Sequence, residues 1–213
     1  MDDQLLVKLK AALAKGANDR ANGMGFFPAA VLIPLVERKN GLSVLFEVRA
    51  GQLNWQPGEV CFPGGRVEPT DVDSQATAVR ETSEELGIDP RDICVLGEMN
   101  EVVSPIGVIL KPYVGRIAGG SCKLSKNEVA EVFAVPLDFL LTAEPLVAHM
   151  EMGNRPLEDF PFSLVPGYHA DWMRRRIYEV LFYQYNGRVI WGLTAQVLAD
   201  FLSVCRQALD IRQ

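Results

Sequence analysis

The run from Ser74 to Gly87 constrains this chain more than any other. Ser74–Leu86 is expected to be a helix, and Gly87 its C-terminal stop, because glycine takes a left-handed cap without strain. On a helical wheel with Glu81 at zero, Glu84 falls near about −60° and Glu85 near about +40°. Three carboxylates therefore share one arc of roughly 100°, while Val79 and Leu86 fall at about 140–160°, with Ala76 near them. The expectation is an apolar face on a core and an opposite face dense in negative charge. Like charges at these spacings repel by about 0.2–0.5 kcal/mol per pair. A hard cation between them removes that cost, and carboxylate oxygens are the donors Mg²⁺ and Mn²⁺ prefer.

Neighbouring residues extend the pattern. Arg80 lies four residues before Glu84, so it can pair with Glu84 or with Asp71. Gly64 and Gly65 stand just before the loop that feeds the helix, where the lack of a side chain lets backbone approach a metal or a phosphate. A metal held here would polarise a phosphoryl oxygen and generate hydroxide from bound water, which suits hydrolysis of phosphoesters and pyrophosphates. Each part alone is common: Glu-x-x-Glu-Glu on solvated helices, Gly-Gly in turns. Their combination at fixed spacing is specific.

Around this run the chain reads as alternating strands and helices. A short amphipathic helix is expected at 5–14. Strands are expected at Phe27–Val36, Leu42–Val48, Val60–Phe62, Ile93–Leu96, Tyr113–Ile117 and Val129–Val135, with a turn at Lys39-Asn40-Gly41. A short helix begins at Pro136 and runs to Leu141; Tyr178–Tyr185 and Arg188–Trp191 form a hairpin about Asn186-Gly187. The last helix spans about Thr194 to Leu209. Residues 142–176 mix Pro, Gly, Met and aromatics and show no period. Trp191 is expected in the core beneath the last helix, and Cys61 as a small buried hydrophobe. Trp172 with Arg174, Arg175 and Arg176 could grip an anion or simply form a basic surface. The pattern is that of a mixed α/β or α+β domain.

Composition excludes several classes. The 213 residues carry 21 Lys+Arg against 27 Asp+Glu, a net charge of −6, so wrapping nucleic acid by charge is excluded as a mode of action. No apolar run reaches the length of a membrane span. The four cysteines are widely spaced with no Cys-x-x-Cys, and the N-terminus lacks a secretory apolar stretch, so a reduced, cytoplasmic setting is expected.

The run Gly65 … Arg80-Glu81-Thr82-Ser83-Glu84-Glu85-Leu86-Gly87-Ile88 resembles the Nudix hydrolase signature. It departs from it in three places: Asp71 stands where the first Glu belongs, eight residues in place of seven separate it from Arg80, and Thr82 replaces an apolar residue. The extra residue is shared with the coenzyme A pyrophosphatase subfamily, as is the preceding series Leu45, Arg49, Leu53, Gly58, Val60, Phe62, Pro63, Gly64, Gly65. Glu68-Pro69-Thr70-Asp71, Thr77-Ala78-Val79 and Ile190–Ala195 are similar to that subfamily too, while Gln56 stands where it has His.

The resemblance covers roughly residues 28–202 and implies a Nudix fold, a mixed β-sheet sandwiched between α-helices, in a domain expected at 23–213. Residues 1–22 are expected as an N-terminal helical extension, which could be a dimer contact or simply pack on its own domain. It implies Mg²⁺ or Mn²⁺ held by Glu81, Glu84, Glu85 and the Gly64 carbonyl, with Glu81 as third ligand or base and Arg80 as the orienting arginine. Glu128 is the candidate for an additional carboxylate; Arg49, Gln56 and Gly65 are candidate substrate contacts. The implied reaction is hydrolysis of the pyrophosphate of coenzyme A or an acyl derivative, a small-molecule nucleotide substrate. Two alternatives remain open: another nucleoside diphosphate derivative, such as ADP-ribose, a dinucleotide or a nucleoside triphosphate, and a Nudix-like module that binds nucleotide without cleaving it.

Overall fold

The computed structural model describes residues 26–39, 41–105, 107–118 and 122–211. The expected helix at 5–14, the extension 1–22 and its dimer contact lie outside the described residues. Strand β1 (Phe27–Arg38) runs parallel to β7 (Val108–Ile117), from Phe27 beside Val108 to Val36 beside Ile117. On its other side β1 pairs antiparallel first with β4 (Gly64–Arg66) and then with β2 (Gly41–Arg49). Pro28 and Pro34 fall outside both pairings, so neither missing N–H breaks a ladder there. Strands β3 (Val60–Cys61) and β8 (Val129–Pro136) flank β2, while β5 (Ile93–Glu98) and β6 (Val102–Val103) flank β7, completing an eight-stranded mixed sheet.

The sheet separates two apolar layers. Alternation along β1 and β2 sends Ala30, Leu32 and Leu45 to one face, where they meet Ala78 and Leu86 of α1 (Ser74–Leu86). It sends Ile33, Val44 and Phe46 to the other face, where they meet Leu140 of α2 (Leu137–Thr142) and Leu198, Phe201 and Leu202 of α3 (Gly192–Ala208). The sheet is thus covered by helices on both sides, as expected of this fold. Among the described residues no helix is long and apolar enough to cross a membrane.

Three departures from the sequence reading have physical causes. Strand β7 starts at Val108 rather than Tyr113: Pro112, which reads as a strand breaker, lies between the β5 and β6 pairings, where no ladder N–H is needed. The unassigned stretch contains β9 (Leu146–Asn154), which pairs with a longer β10 (Met173–Tyr185), and β11 (Arg188–Trp191) completes a three-stranded sheet. Most of β9 is exposed on both faces, so it carries no two-residue apolar alternation to read. Trp191 is not a core residue: it is 37% exposed and stacks on Phe182, with ring centroids 5.8 Å apart.

Candidate functional site

Helix α1 is positioned at both ends. The Asp73 side chain accepts the Ala76 N–H at 2.7 Å, capping the N-terminus. Gly87 closes the helix with φ 62°, and a Cβ there would run into the Lys123 carbonyl, so only glycine fits. The wheel prediction needs one correction. The buried residues of α1 are Thr77, Ala78, Thr82, Glu85 and Leu86, an arc centred near Glu85, not opposite it. The Thr82 hydroxyl satisfies itself on the Ala78 carbonyl at 2.6 Å, which lets a polar residue occupy the apolar place. Glu84 is exposed, and Glu81 lies between the two.

Strand β4 is the floor of the site. The Gly64 N–H donates to Glu85 Oε2 at 2.8 Å. A Cβ on Gly65 would collide with the carboxylate of Glu81, so that carboxylate rests on bare backbone. Arg80 ties the layer together. It forms a two-pronged pair with Asp71 (2.9 and 3.0 Å), and its Nη1 reaches Glu81 Oε1 at 3.0 Å and Glu84 Oε2 at 3.3 Å. Asp71 also accepts the Glu68 N–H and the Thr77 hydroxyl. These donors, Arg80 first, hold its carboxyl well below the usual range. The displaced Asp71 is thus the anchor of Arg80.

A carboxylate absent from the sequence reading completes the arrangement. Glu47 of β2 is 1% exposed; Cys61 Sγ donates to its Oε1 at 3.2 Å, and its Oε2 is buried without a partner among the described residues. Cys61 is therefore a hydrogen-bonding neighbour rather than a plain hydrophobe, and burial pushes its thiol pKa up. Glu47 stood out in no motif; a charged residue within the mainly apolar run Leu42–Val48 is the signal that could have found it. Burial is the first cause raising the carboxyl pKa values of Glu47, Glu81 and Glu85. For Glu85, repulsion from Glu47 comes next, offset by the Gly64 N–H, with Glu81 and Glu128 adding further repulsion. Repulsion from Glu128 reaches Glu47 and Glu81 as well. Glu128 itself is exposed and accepts the Ser125 hydroxyl at 2.7 Å.

The donor set fits a hard divalent cation: clustered carboxylates whose charges oppose one another, one carrying an orphaned buried oxygen. As they stand, Glu81 and Glu84 are bound to Arg80 and Glu85 to Gly64, and among the described residues no three such side chains converge on one point. Holding a cation requires these side chains to turn from their present partners.

Beside the carboxylates lies a cleft of about 780 Å³ between the large sheet and the three-stranded sheet. Arg49, Gln56 and Cys61 line its inner end; Met150, Met152, Ile177 and Tyr178 give it an apolar wall, and Arg176 a positive charge. Arg49 Nε donates to the Trp55 carbonyl at 3.2 Å, and Gln56 holds a left-handed backbone with φ 51°. Arg174 and Arg175 turn elsewhere, to Glu151 and to Asn154 with Tyr168. Gly65 is not in the cleft wall; it lies under Glu81.

Comparison with known proteins agrees with this architecture. The NUDIX domain model matches residues 26–150. The peroxisomal coenzyme A diphosphatase NUDT7 of Mus musculus is 35% identical over 160 residues, 74% of this chain and 67% of that protein. A Nudix hydrolase NudL from Photorhabdus laumondii, described as uncharacterized, is 33% identical over 172 residues, 80% of each chain. A MutT/nudix family protein from Enterococcus faecalis shares the fold with a TM-score of 0.50 at 15% identity, over 94% of this chain and 69% of that one. With its glutamate-bearing helix laid over two glycines of the mixed sheet, the chain belongs to the Nudix family of hydrolases.

Proposed function

We propose that the protein hydrolyses the pyrophosphate bond of coenzyme A or an acyl-CoA, yielding 3′,5′-ADP and (acyl-)4′-phosphopantetheine. The observation that carries this reading is the cleft: its apolar wall of Met150, Met152, Ile177 and Tyr178 suits a pantetheine or acyl arm, and Arg49 and Arg176 suit phosphates. The similarity to a coenzyme A diphosphatase supports the same substrate.

In this reading Glu84 and Glu85, with the Gly64 carbonyl, hold Mg²⁺ or Mn²⁺, and Glu81 is either the third ligand or the base. When bound, the metal supplies Lewis-acid polarisation of a phosphoryl oxygen and lowers the pKa of coordinated water. Water adds to one phosphorus as the bond to the bridging oxygen breaks, and that oxygen leaves with the electron pair on the other phosphate. As the base, Glu81 stays against Gly65 beside Arg80 and accepts the water's proton. Glu128 is a further exposed carboxylate, while Gln56 and Arg49 orient the substrate at the inner end of the cleft. The cysteines, all unpaired, suit a reducing cytoplasmic setting.

The test is incubation of the purified protein with coenzyme A and Mg²⁺ or Mn²⁺, with an EDTA control and chromatographic separation of products. Metal-dependent release of 3′,5′-ADP is expected. Cleavage of ADP-ribose or a dinucleotide but not coenzyme A would refute the substrate; nucleotide binding without any cleavage would refute the proposed hydrolysis.

A further inference from the structure

We propose that Glu47 is an additional oxygen ligand of the site's divalent cation, supplied by the sheet rather than by the glutamate helix. The proposal rests on the reading that the α1 carboxylates hold such a cation.

Strand alternation supplies the geometry. Val44 and Phe46 of β2 enter the layer beneath α3, so Leu45 and Glu47 project from the opposite face. That face packs on α1: Leu45 joins Ala78 and Leu86 there, and Val132, the β8 partner of Glu47, packs on the same cluster. Glu47 thus enters the layer that Glu85 enters from above. Its repulsion reaches Glu85, and repulsion from Glu81 and Glu128 reaches it.

The second observation is the orphaned oxygen. A carboxyl group this deeply buried must be paired, hydrogen-bonded or bound to a cation, or else take up a proton. Oε1 has just a thiol, a weak donor, and Oε2 has nothing among the described residues. Arg49, two positions along the same face, offsets part of the charge, but its Nε is donated to the Trp55 carbonyl. A structural glutamate would be expected to find a donor for both oxygens. A ligand keeps one lone-pair edge open.

The experiment measures Mn²⁺ binding by the electron paramagnetic resonance of free Mn²⁺, on wild type, Glu47→Gln and Glu85→Gln. Glutamine preserves the volume of Glu47 and can still accept from Cys61. Loss of affinity by about tenfold or more in Glu47→Gln, together with a smaller Mn²⁺-induced rise in Tm, is the expected result. Wild-type affinity and Tm rise in Glu47→Gln, with loss in Glu85→Gln, would overturn the inference and leave the site reading standing. Wild-type affinity in both variants would overturn the reading on which it rests, and the inference with it. Should Glu47→Gln lack the wild-type circular dichroism spectrum, Glu47→Asp serves, since it keeps the charge and withdraws the oxygens by one methylene. The same loss is expected from it, and wild-type affinity there counts against the proposal.

Discussion

Replacing Gly65 by alanine separates catalytic placement from stability. A Cβ at this position would lie 2.8 Å from Glu81 Oε2 and closer to Oε1 and Cδ, where ordinary contact begins at 3.4 Å. The carboxylate must therefore retreat by roughly 1 Å, since contact distances are about 3.5–4.0 Å. It sits at the end of a flexible side chain, so it can yield without moving β4. The stability terms nearly cancel. The partly exposed Arg80–Glu81 pair is worth about 0.2–1 kcal/mol, and replacing a strand glycine returns about 0.4–1 kcal/mol through the unfolded chain. The net change is within about 1 kcal/mol, or roughly 2–4 °C in Tm for a chain of this size. Activity should respond far more, because misplacing a catalytic group by about 1 Å costs on the order of 10²-fold in rate. Steady-state kinetics with saturating metal should show kcat falling about 10²-fold beside a nearly unchanged melting curve. A Gly65→Ala enzyme with wild-type kcat would refute the argument that Glu81 works where it rests on Gly65.

Other outcomes follow from the same geometry. Asp71→Asn removes the charge that anchors Arg80, and activity should fall about 10–100-fold while the circular dichroism spectrum is retained; unchanged kinetics would show Arg80 needs no anchor. Gly87→Ala forces an alanine into φ 62° against the Lys123 backbone, costing at least about 1–2 kcal/mol, so Tm should drop by several degrees; an unchanged Tm would contradict the cap. Metal-free stability should fall as pH rises. Glu47 and Glu85 have folded pKa values raised above 4.5, so the folded state binds protons more tightly. Their contribution is fully present below about pH 4.5 and is lost as pH climbs through the raised values. Melting curves in EDTA from about pH 5 to 9 should show this loss, and Mn²⁺ should reduce it; a Tm that rises over that range would reverse the sign.

The sequence alone determined the elements whose signals are local. Periodicity and the terminal glycine marked α1, and the glutamate spacing with Gly64-Gly65 marked the proposed site, because each depends on neighbours within a turn or two of chain. Arg80 could be limited to Asp71 or Glu84 from spacing; the folded chain uses both. Strand β9 and the first half of β7 were not legible, since one lacks a buried face and the other contains a proline tolerated only through its neighbours' gap. Which side of α1 would be buried also had to await the sheet. Apolar moment pointed toward Val79 and Leu86, but packing on β4 turned the helix so that Glu85 entered the interior while Glu84 stayed in solvent. Glu47 belongs to the same class: on β2, twenty-seven or more residues from the helix in sequence, it faces the layer of α1 only because pairing of β2 with β3 and β8 fixes which way its side chain points. Local sequence carries the identity of the candidate groups; long-range pairing decides which of them share a volume, and therefore which charges compete and which are buried.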